Sequence, residues 1–598
     1  MTYIVDRRNL DFVLFEMLGI ESLLATEHYA HCDRPMVAQL LDTAQRLAEE
    51  RYLPVAAQLD ACPPALVGGE IDILPAVRTA LTAYAEAGFA AQNFSMRDGG
   101  LQLPHTVAMA AVGMFIAANQ GISNYSTLTS AAAHLLLEFG TDDQRIHFAP
   151  PLIAGLWGGT MCLSEPQAGS SLADITTKAV PAEDGTYHIR GTKMWISGAA
   201  HRMTENIVNL VLAKIRGAPA GVNGISLFIV PQRLVDAAGT VTADNNITLV
   251  GLNHKMGQRG TTNTMLNFGE AGPTTGYLIG QPNQGLRYMF HMMNEARIAV
   301  GHMAVMSGLA GYLYSRDYAR ERVQGRRLGH KDLTTPQVPL IAHPDIRRML
   351  LAQKTCVEGG LALSHFCALL VDQQAIVHGA AREDIGVLLE VLTPIAKSWP
   401  SEHCLEANKL AIQVLGGAGY TLDHPVERFY RDNRLNHIHE GTFGIQGLDL
   451  LGRKVRLADG RGLALLVARI EETIAAATAV MSLTAFAAAL ANALDNLKRA
   501  TAAATSEADA ERGLANATLY LDAAGTIVVA WLWLWQAIVA TTALETADSE
   551  RAFYEAKLAA CRYCFNYMLP TAQHQLTVVE ALDDTCYAFT ADQIGVAA

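Results

Sequence analysis

The sequence predicts an α+β fold: an α-helical N-terminal domain, a small β-barrel-like middle domain, a C-terminal helical bundle and an extra C-terminal helical domain. Three observations lead there. Helical three- and four-residue periodicity runs through residues 1–159, and short β-branched runs broken by turn residues occupy 160–284. Helical periodicity then returns for the rest of the chain. The order lacks the βαβα alternation of a parallel sheet. No GxGxxG follows a strand and no GxxxxGK[ST] occurs, which disfavours a Rossmann NAD enzyme and a P-loop NTPase.

In the first domain, "PMVAQLLDTAQRLAEERYLPVAAQL" places apolar groups at helical spacing, and "SAAAHLLLEFG" repeats the pattern until Gly140 stops it. In the second, "TYHIRGTKMWISG", "ENIVNLVLAKI", "GISLFIVP" and "NTMLNFGE" read as strands, with turns at "EDG", "GAPAGVNG" and "EAGPTTG". Residues 285–457 form the helical bundle, interrupted by "KDLTTPQVP" (Lys331 to Pro339), an expected exposed loop. Residues 458–598 are Ala-rich with few breakers and form a separate helical extension. Within it, "TIVVAWLWLWQAIVATTAL" (Thr526 to Leu544) is long enough to span a bilayer. Gln536 and several threonines dilute it, and no Lys/Arg cluster flanks it. A helix buried on most sides is expected, with no membrane span.

Of the 598 residues, 50% are hydrophobic and 17% charged, which is a globular composition. The formal net charge of −13, with six Lys/Arg against fifteen Asp/Glu from Glu471 onward, argues against nucleic-acid partners. Nine sparse cysteines read as reduced thiols of a cytoplasmic protein. The N-terminal "MTYIVDRRNLDFVLFEML" has acids among its apolar positions and no cleavage site, so no signal peptide is expected. "EHYAHCD" (Glu27 to Asp33) reads as a solvated helix end, so no metal site is expected. "CRYC" (Cys561, Cys564) reads as paired helix positions. GxSxG is absent, so a serine hydrolase has no support.

Three stretches set small residues and hydroxyls among apolar ones. "MCLSEPQAGSS" offers Ser164, Ser170, Ser171 and backbone amides to a polar ring edge or phosphate. "KMWISG" offers the flat face of Trp195 and the hydroxyl of Ser197. "QVLGGAGY" holds a glycine pair where a chain can approach a ligand closely. Each alone has an ordinary structural explanation. Their order is more specific. SEPxAGS, KxWIS, Arg322 with Gln324 and Gly325, QVLGGxGY and HEGT, in that sequence, resemble the acyl-CoA dehydrogenase flavoproteins from about Leu81 to Lys454. The N-terminal segment and helical tail resemble the long members of that family, among them 3-methylmercaptopropionyl-CoA dehydrogenases and bacterial fatty acyl-CoA dehydrogenases.

The resemblance implies non-covalent FAD between the middle and C-terminal domains and often against a second subunit, hence a homo-oligomer, dimer or tetramer. Met161, Leu163 and Ser164 would line the flavin, Trp195 would cover it, and Ser197 would bond near its N5 edge. Arg322 and Gln324 match a segment reaching the FAD pyrophosphate of a neighbouring subunit. Gln413, Gly416 and Gly417 match the loop over the adenine end. Thr442 would meet FAD. Ser170, Asn294 and Arg297 match positions that hold the CoA substrate, although Asn294 stands where many members carry an acid. His439 replaces a frequent Tyr, where an imidazole would tune the neighbouring acid or shape the pocket. His343 reads as an ordinary loop histidine.

Glu440 aligns with the catalytic base. It is the one acid in "NRLNHIHEGTFGIQG", and an isolated carboxylate in an apolar pocket is pushed by desolvation toward a useful proton affinity. Gly441 after it permits close approach to substrate, and amide donors there would stabilise an enolate-like oxygen. Some members carry their base near Arg297 instead; here that slot is Ala296, flanked by Glu295. The implied function is FAD-dependent α,β-dehydrogenation of an acyl-CoA to trans-2-enoyl-CoA in fatty acid β-oxidation. Glu440 would take the α-proton, flavin N5 the β-hydride, and an electron-transferring flavoprotein the electrons. An acyl-CoA oxidase reducing oxygen, or a flavin-containing relative that is non-enzymatic or nucleic-acid-associated, shares the architecture and stays as the alternative.

Overall fold

The computed structural model describes residues 4–329, 334–546 and 548–595. Its contacts divide the chain into two compact units, Pro35–Ala296 and Met1–Arg34 with Arg297–Ala598.

In the first unit, helices Pro75–Glu86, His105–Phe139 and Asp142–Ile153 precede the main sheet. Gly140 ends the long helix, and Thr141 with Gln144 forms a capping box that starts the next. The sheet strands are β1 Gly158–Cys162, β2 Lys178–Pro181, β3 Tyr187–Ser197, β4 Ile207–Ile215, β5 Ile225–Pro231, β6 Ile247–Leu252, β7 Asn263–Phe268 and β8 Thr274–Leu278. Pairing runs β3–β8–β5–β4–β2 and back to β3, closing a small barrel. Strand β1 adds in parallel to β4, and β7 then β6 add antiparallel to β3. Strands β4 and β5 are buried on both faces. Leu210, Leu212, Leu227 and Ile229 enter one hydrophobic cluster, while Val211, Ala213, Phe228 and Val230 enter another. The period of two therefore fills a core on each side of the sheet.

The second unit is helical. Gly285–Glu321 contributes its residues from Arg297 onward, followed by Pro344–Ile376, Ala380–Leu415, Val426–Asn433 and Phe443–Gly452. The tail adds Arg461–Thr478, Thr484–Ser506, Ala517–Ala543, Arg551–Tyr563 and Leu569–Glu580. Close packing depends on small residues. A Cβ on Gly301 would stand 1.8 Å from the Ala396 carbonyl oxygen, so Gly285–Glu321 lies directly against Ala380–Leu415. Most residues of the membrane-like helix Ala517–Ala543 are buried, Trp531, Leu532, Trp533 and Leu534 among them. Its Trp533 indole donates to the Thr355 carbonyl at 3.1 Å, and Trp531 donates to Thr473 at 2.7 Å. Buried polar partners satisfy each indole N–H while the rings fill the core.

Candidate active site

Strand β3 carries the first group of expected ligand-contacting residues, and an irregularity aims one of them outward. Against β7 the register slips between Thr264 and Leu266, so Met194 and Trp195 together face Met265. Trp195 takes φ +65° and is 58% exposed, although its neighbours Lys193 and Ile196 are fully buried. A bulge with a left-handed residue turns the ring out of the alternation, at a conformational cost of about 1–3 kcal/mol.

Ser164 lies beside this strand, its carbonyl accepting from Met194 N at 3.0 Å. The loop bearing it is fastened by Glu165. That carboxylate accepts from Thr176 N (2.7 Å), Thr176 Oγ1 (2.8 Å), Thr177 N (3.0 Å), Thr177 Oγ1 (2.6 Å) and Gln167 Nε2 (2.8 Å), and it pairs with Lys193 Nζ at 3.0 Å. Lys193 also donates to Leu163 O at 2.9 Å. Burial acts to raise the Glu165 carboxyl, but Lys193 and the Thr177 and Thr176 donors override it and hold it at about 2. Ser197 accepts from Asn263 Nδ2 at 3.0 Å through its hydroxyl, and Thr160 holds its carbonyl at 2.6 Å. The strand and its neighbouring loop thus bring Leu163, Ser164, Trp195 and Ser197 together, with Met161 on β1. Ser170 is exposed on the same loop, beyond Glu165.

Glu165→Gln should destabilise this unit by about 3–5 kcal/mol, because it strands the Lys193 ammonium in the core. The carboxylate's folded value lies below its ordinary 4.5, so its stabilisation is full above that pH and decays toward pH 2. Denaturation followed from pH 7 to pH 3 measures it, the gap between wild type and variant narrowing toward the acid end.

Glu440 lies in the second unit on the turn before Phe443–Gly452. It has φ +55° and Gly441 has φ +89°. Two left-handed residues in succession make a tight reversal, and the second position also needs glycine for space: a Cβ would stand 2.6 Å from Gln446 Nε2. Gln446 donates to the Glu440 carbonyl at 2.9 Å, and the buried Lys397 donates to the Gly441 carbonyl at 2.8 Å. Thr442 caps the following helix, its hydroxyl facing Ile445 N at 3.5 Å. Burial pushes the Glu440 carboxyl above its ordinary value, with Arg297 and Lys397 pulling it back. The expectation of an isolated carboxylate is thereby corrected: two cations act on it.

Arg297 is buried and pairs with Asp449 at 3.1 Å, which also accepts from Arg453 at 2.7 Å. Its Nε makes no hydrogen bond among the described residues. His439 is held well down, at about 3, by burial and by Lys397, so it is neutral and cannot act on Glu440 as a charge. Its Nε2 meets Asn436 Oδ1 at 3.2 Å. From there the side-chain amides of Asn436, Asn433 and Asn408 each donate a hydrogen bond to the next, ending on the Ser307 carbonyl. The imidazole is thus oriented from the helix Gly285–Glu321.

Arg322 and Gln324 follow that helix on an exposed turn, where the Gln324 carbonyl meets His343 Nε2 at 2.8 Å. Gln413, Gly416 and Gly417 are exposed at the end of Ala380–Leu415, with open space where Cβ atoms would stand on both glycines. The side chain of Asn294 lies outside the described residues. Sequence reasoning missed Lys397, Gln446, the amide chain and the Glu165–Lys193 pair. The signal for Lys397 was a lone charge in the stretch 391–401, between Glu390 and Glu402, which also holds Pro394 and Pro400.

Four families match the chain in order: Acyl-CoA dehydrogenase, N-terminal domain (36–156); Acyl-CoA dehydrogenase, middle domain (160–271); Acyl-CoA dehydrogenase, C-terminal domain (283–455); and Acetyl-CoA dehydrogenase C-terminal like (466–590). A 3-methylmercaptopropionyl-CoA dehydrogenase of Ruegeria pomeroyi is 35% identical over 94% of this chain and 95% of its own. The broad-specificity linear acyl-CoA dehydrogenase FadE5 of Mycobacterium tuberculosis is 32% identical over 96% of each. Among solved structures, an acyl-CoA dehydrogenase from Bacillus anthracis complexed with FAD shares the fold at TM-score 0.74 and 19% identity, over 92% of this chain and 89% of that one.

Proposed function

This chain belongs to the acyl-CoA dehydrogenase family, an FAD-binding class of oxidoreductases, and from that membership we propose that Glu440 removes the α-proton of a bound acyl-CoA to yield trans-2-enoyl-CoA. One observation carries the assignment. Glu440 is the acid on a left-handed turn whose carboxyl burial moves toward proton uptake and whose backbone is held from two sides.

The side chains fit the cofactor. In the first unit Trp195 offers an exposed ring face for a flavin, with Ser197 on the same strand and Ser164 on the loop bonded to it; in the second, the open backbone of Gly416 and Gly417 would suit an adenine end. When bound, FAD supplies the acceptor for the β-hydride. The protein's own part begins with Glu440 accepting the proton from the carbon next to the thioester carbonyl. Negative charge then develops on the carbonyl oxygen, and the field of Arg297 and Lys397 favours it. Arg297 Nε is a donor left over from the Asp449 pair and is available to CoA. Neutral His439 shapes the pocket wall beside Glu440. Electrons leave to an electron-transferring flavoprotein.

Anaerobic addition of short, medium, long and methylthio acyl-CoAs should bleach the flavin of the purified protein, and an electron-transferring flavoprotein should restore its colour. No bleaching by any thioester contradicts the activity. Rapid peroxide formation in air without that acceptor contradicts the acceptor and favours an oxidase.

A further inference from the structure

We propose that Lys397 is a positioning residue for Glu440: it holds the turn bearing the carboxylate through the Gly441 carbonyl, and its positive charge favours the ionised, base-competent form. The inference rests on Glu440 being the base.

Lys397 is fully buried on Ala380–Leu415, yet its hydrogen bond runs to a neutral carbonyl, Gly441 O at 2.8 Å. A buried ammonium needs an anion nearby to be tolerated. The surrounding acids already hold cations. From Phe443–Gly452, Asp449 holds Arg297 and Arg453, and Glu390 on the lysine's own helix holds Lys454. From Gly285–Glu321 the facing charge is Arg297, which repels Lys397. From the turn the neighbours are neutral His439 and Glu440. Asp522 on Ala517–Ala543 is engaged by His403 at 2.8 Å. Glu440 is thus the counter-charge of Lys397, and through Gly441 the lysine also restrains the same two-residue reversal.

The fold is arranged to bring Lys397 to this place. Gly301 admits the helix backbone at Ala396 and Lys397, the closest approach shown by any glycine of this unit. Pro400 removes the N–H that would bond the Ala396 carbonyl, and Pro394 likewise removes the one that would bond the Glu390 carbonyl. From the tail, Gly525 seats against Trp399, whose indole donates to Thr526 at 3.0 Å. Gly447 of Phe443–Gly452 abuts the Ala517 carbonyl. The extension therefore packs behind both the lysine and the turn. Burial draws the ammonium down to about 7, with Glu440 raising it and Arg297 lowering it, so lysine and glutamate titrate as a coupled pair.

The test is the pH dependence of anaerobic flavin reduction by acyl-CoA in wild type, Lys397→Met, Lys397→Arg and Glu440→Gln. Without the cation the carboxylate binds its proton more tightly. The acid limb of Lys397→Met should therefore move at least one pH unit upward, a roughly tenfold slower reaction at the acid end, while Lys397→Arg keeps the wild-type limb. A Lys397→Met limb superimposed on wild type, with Glu440→Gln inactive, overturns the role of Lys397 and leaves the base assignment standing. An active Glu440→Gln enzyme overturns both. The reciprocal measurement needs no Lys397 variant to fold. In Glu440→Gln, followed by 15N-lysine resonances, Lys397 should titrate at lower pH than in wild type, and an unchanged titration overturns the pairing.

Discussion

Glu440→Gln should retain its yellow FAD and lose flavin bleaching by every acyl-CoA, with reduction slowed roughly a hundred- to ten-thousand-fold, the usual contribution of a positioned general base. The substitution is clean for a structural reason. The bonds that fix the turn use main-chain carbonyls, Gln446 to Glu440 O and Lys397 to Gly441 O, so an amide side chain leaves them intact. The amide also keeps the side chain's size, so the acyl pocket keeps its shape. What is lost is the lone pair that takes the proton. Stopped-flow absorbance with saturating acyl-CoA measures the rate, and retained flavin together with a cooperative melting transition, lowered by the stranded Lys397 charge, separates lost chemistry from lost fold.

Glu358→Gln should be the most destabilising change outside the site. Glu358 is buried between two lysines, bonded to Lys354 and, at 2.9 Å, to Lys557. Lys557 also meets Gln536 Oε1 at 3.0 Å and Asn9, and its ammonium lies 4.5 Å from the Phe12 ring centroid. This cluster joins Pro344–Ile376, two tail helices and the N-terminal segment. Arg8 adds a second tie, to Glu550 at 2.6 Å. Burial acts to raise the Glu358 carboxyl, but the two lysines override it and hold it below its ordinary value. Losing the shared anion leaves two buried cations, at a cost of about 3–5 kcal/mol. The denaturation midpoint should fall accordingly. Adding Lys557→Met should recover part of the loss, because the stranded charge is removed with its partner. A midpoint equal to wild type would show that the cluster contributes nothing.

The middle sheet was legible where side-chain alternation is strong. The runs quoted for β3, β4, β5 and β7 are strands in the structure. Strands β1, β2, β6 and β8 are short or glycine-bearing, and β1 and β8 pair with strands distant in the chain. The bulge at Trp195 breaks the period of two and is set by the partner strand, so local pattern does not announce it. Glu440 stood out because it is the only acid in its stretch, and five collinear motifs supported it. Arg297 and Lys397 reach it from other helices, and a helix-borne charge gives no sequence sign of what it faces. The extension read only as Ala-rich helices. Its use became visible once Gly447, Gly525 and Trp399 were seen to seat it behind the turn. The N-terminal segment is tied to that extension by Arg8, Asn9, Phe12 and Glu16, which belong to no local pattern.

Hydrogen exchange at the substrate's α-carbon isolates the proton step from the redox step. An acyl-CoA with no hydrogen on its β-carbon cannot be oxidised, yet it still presents an α-proton to the base. In deuterated water, wild-type protein should place deuterium at that α-carbon, and Glu440→Gln with the same flavin content should place none above the uncatalysed rate. Exchange by the variant at the wild-type rate would contradict Glu440 as the group that takes the proton.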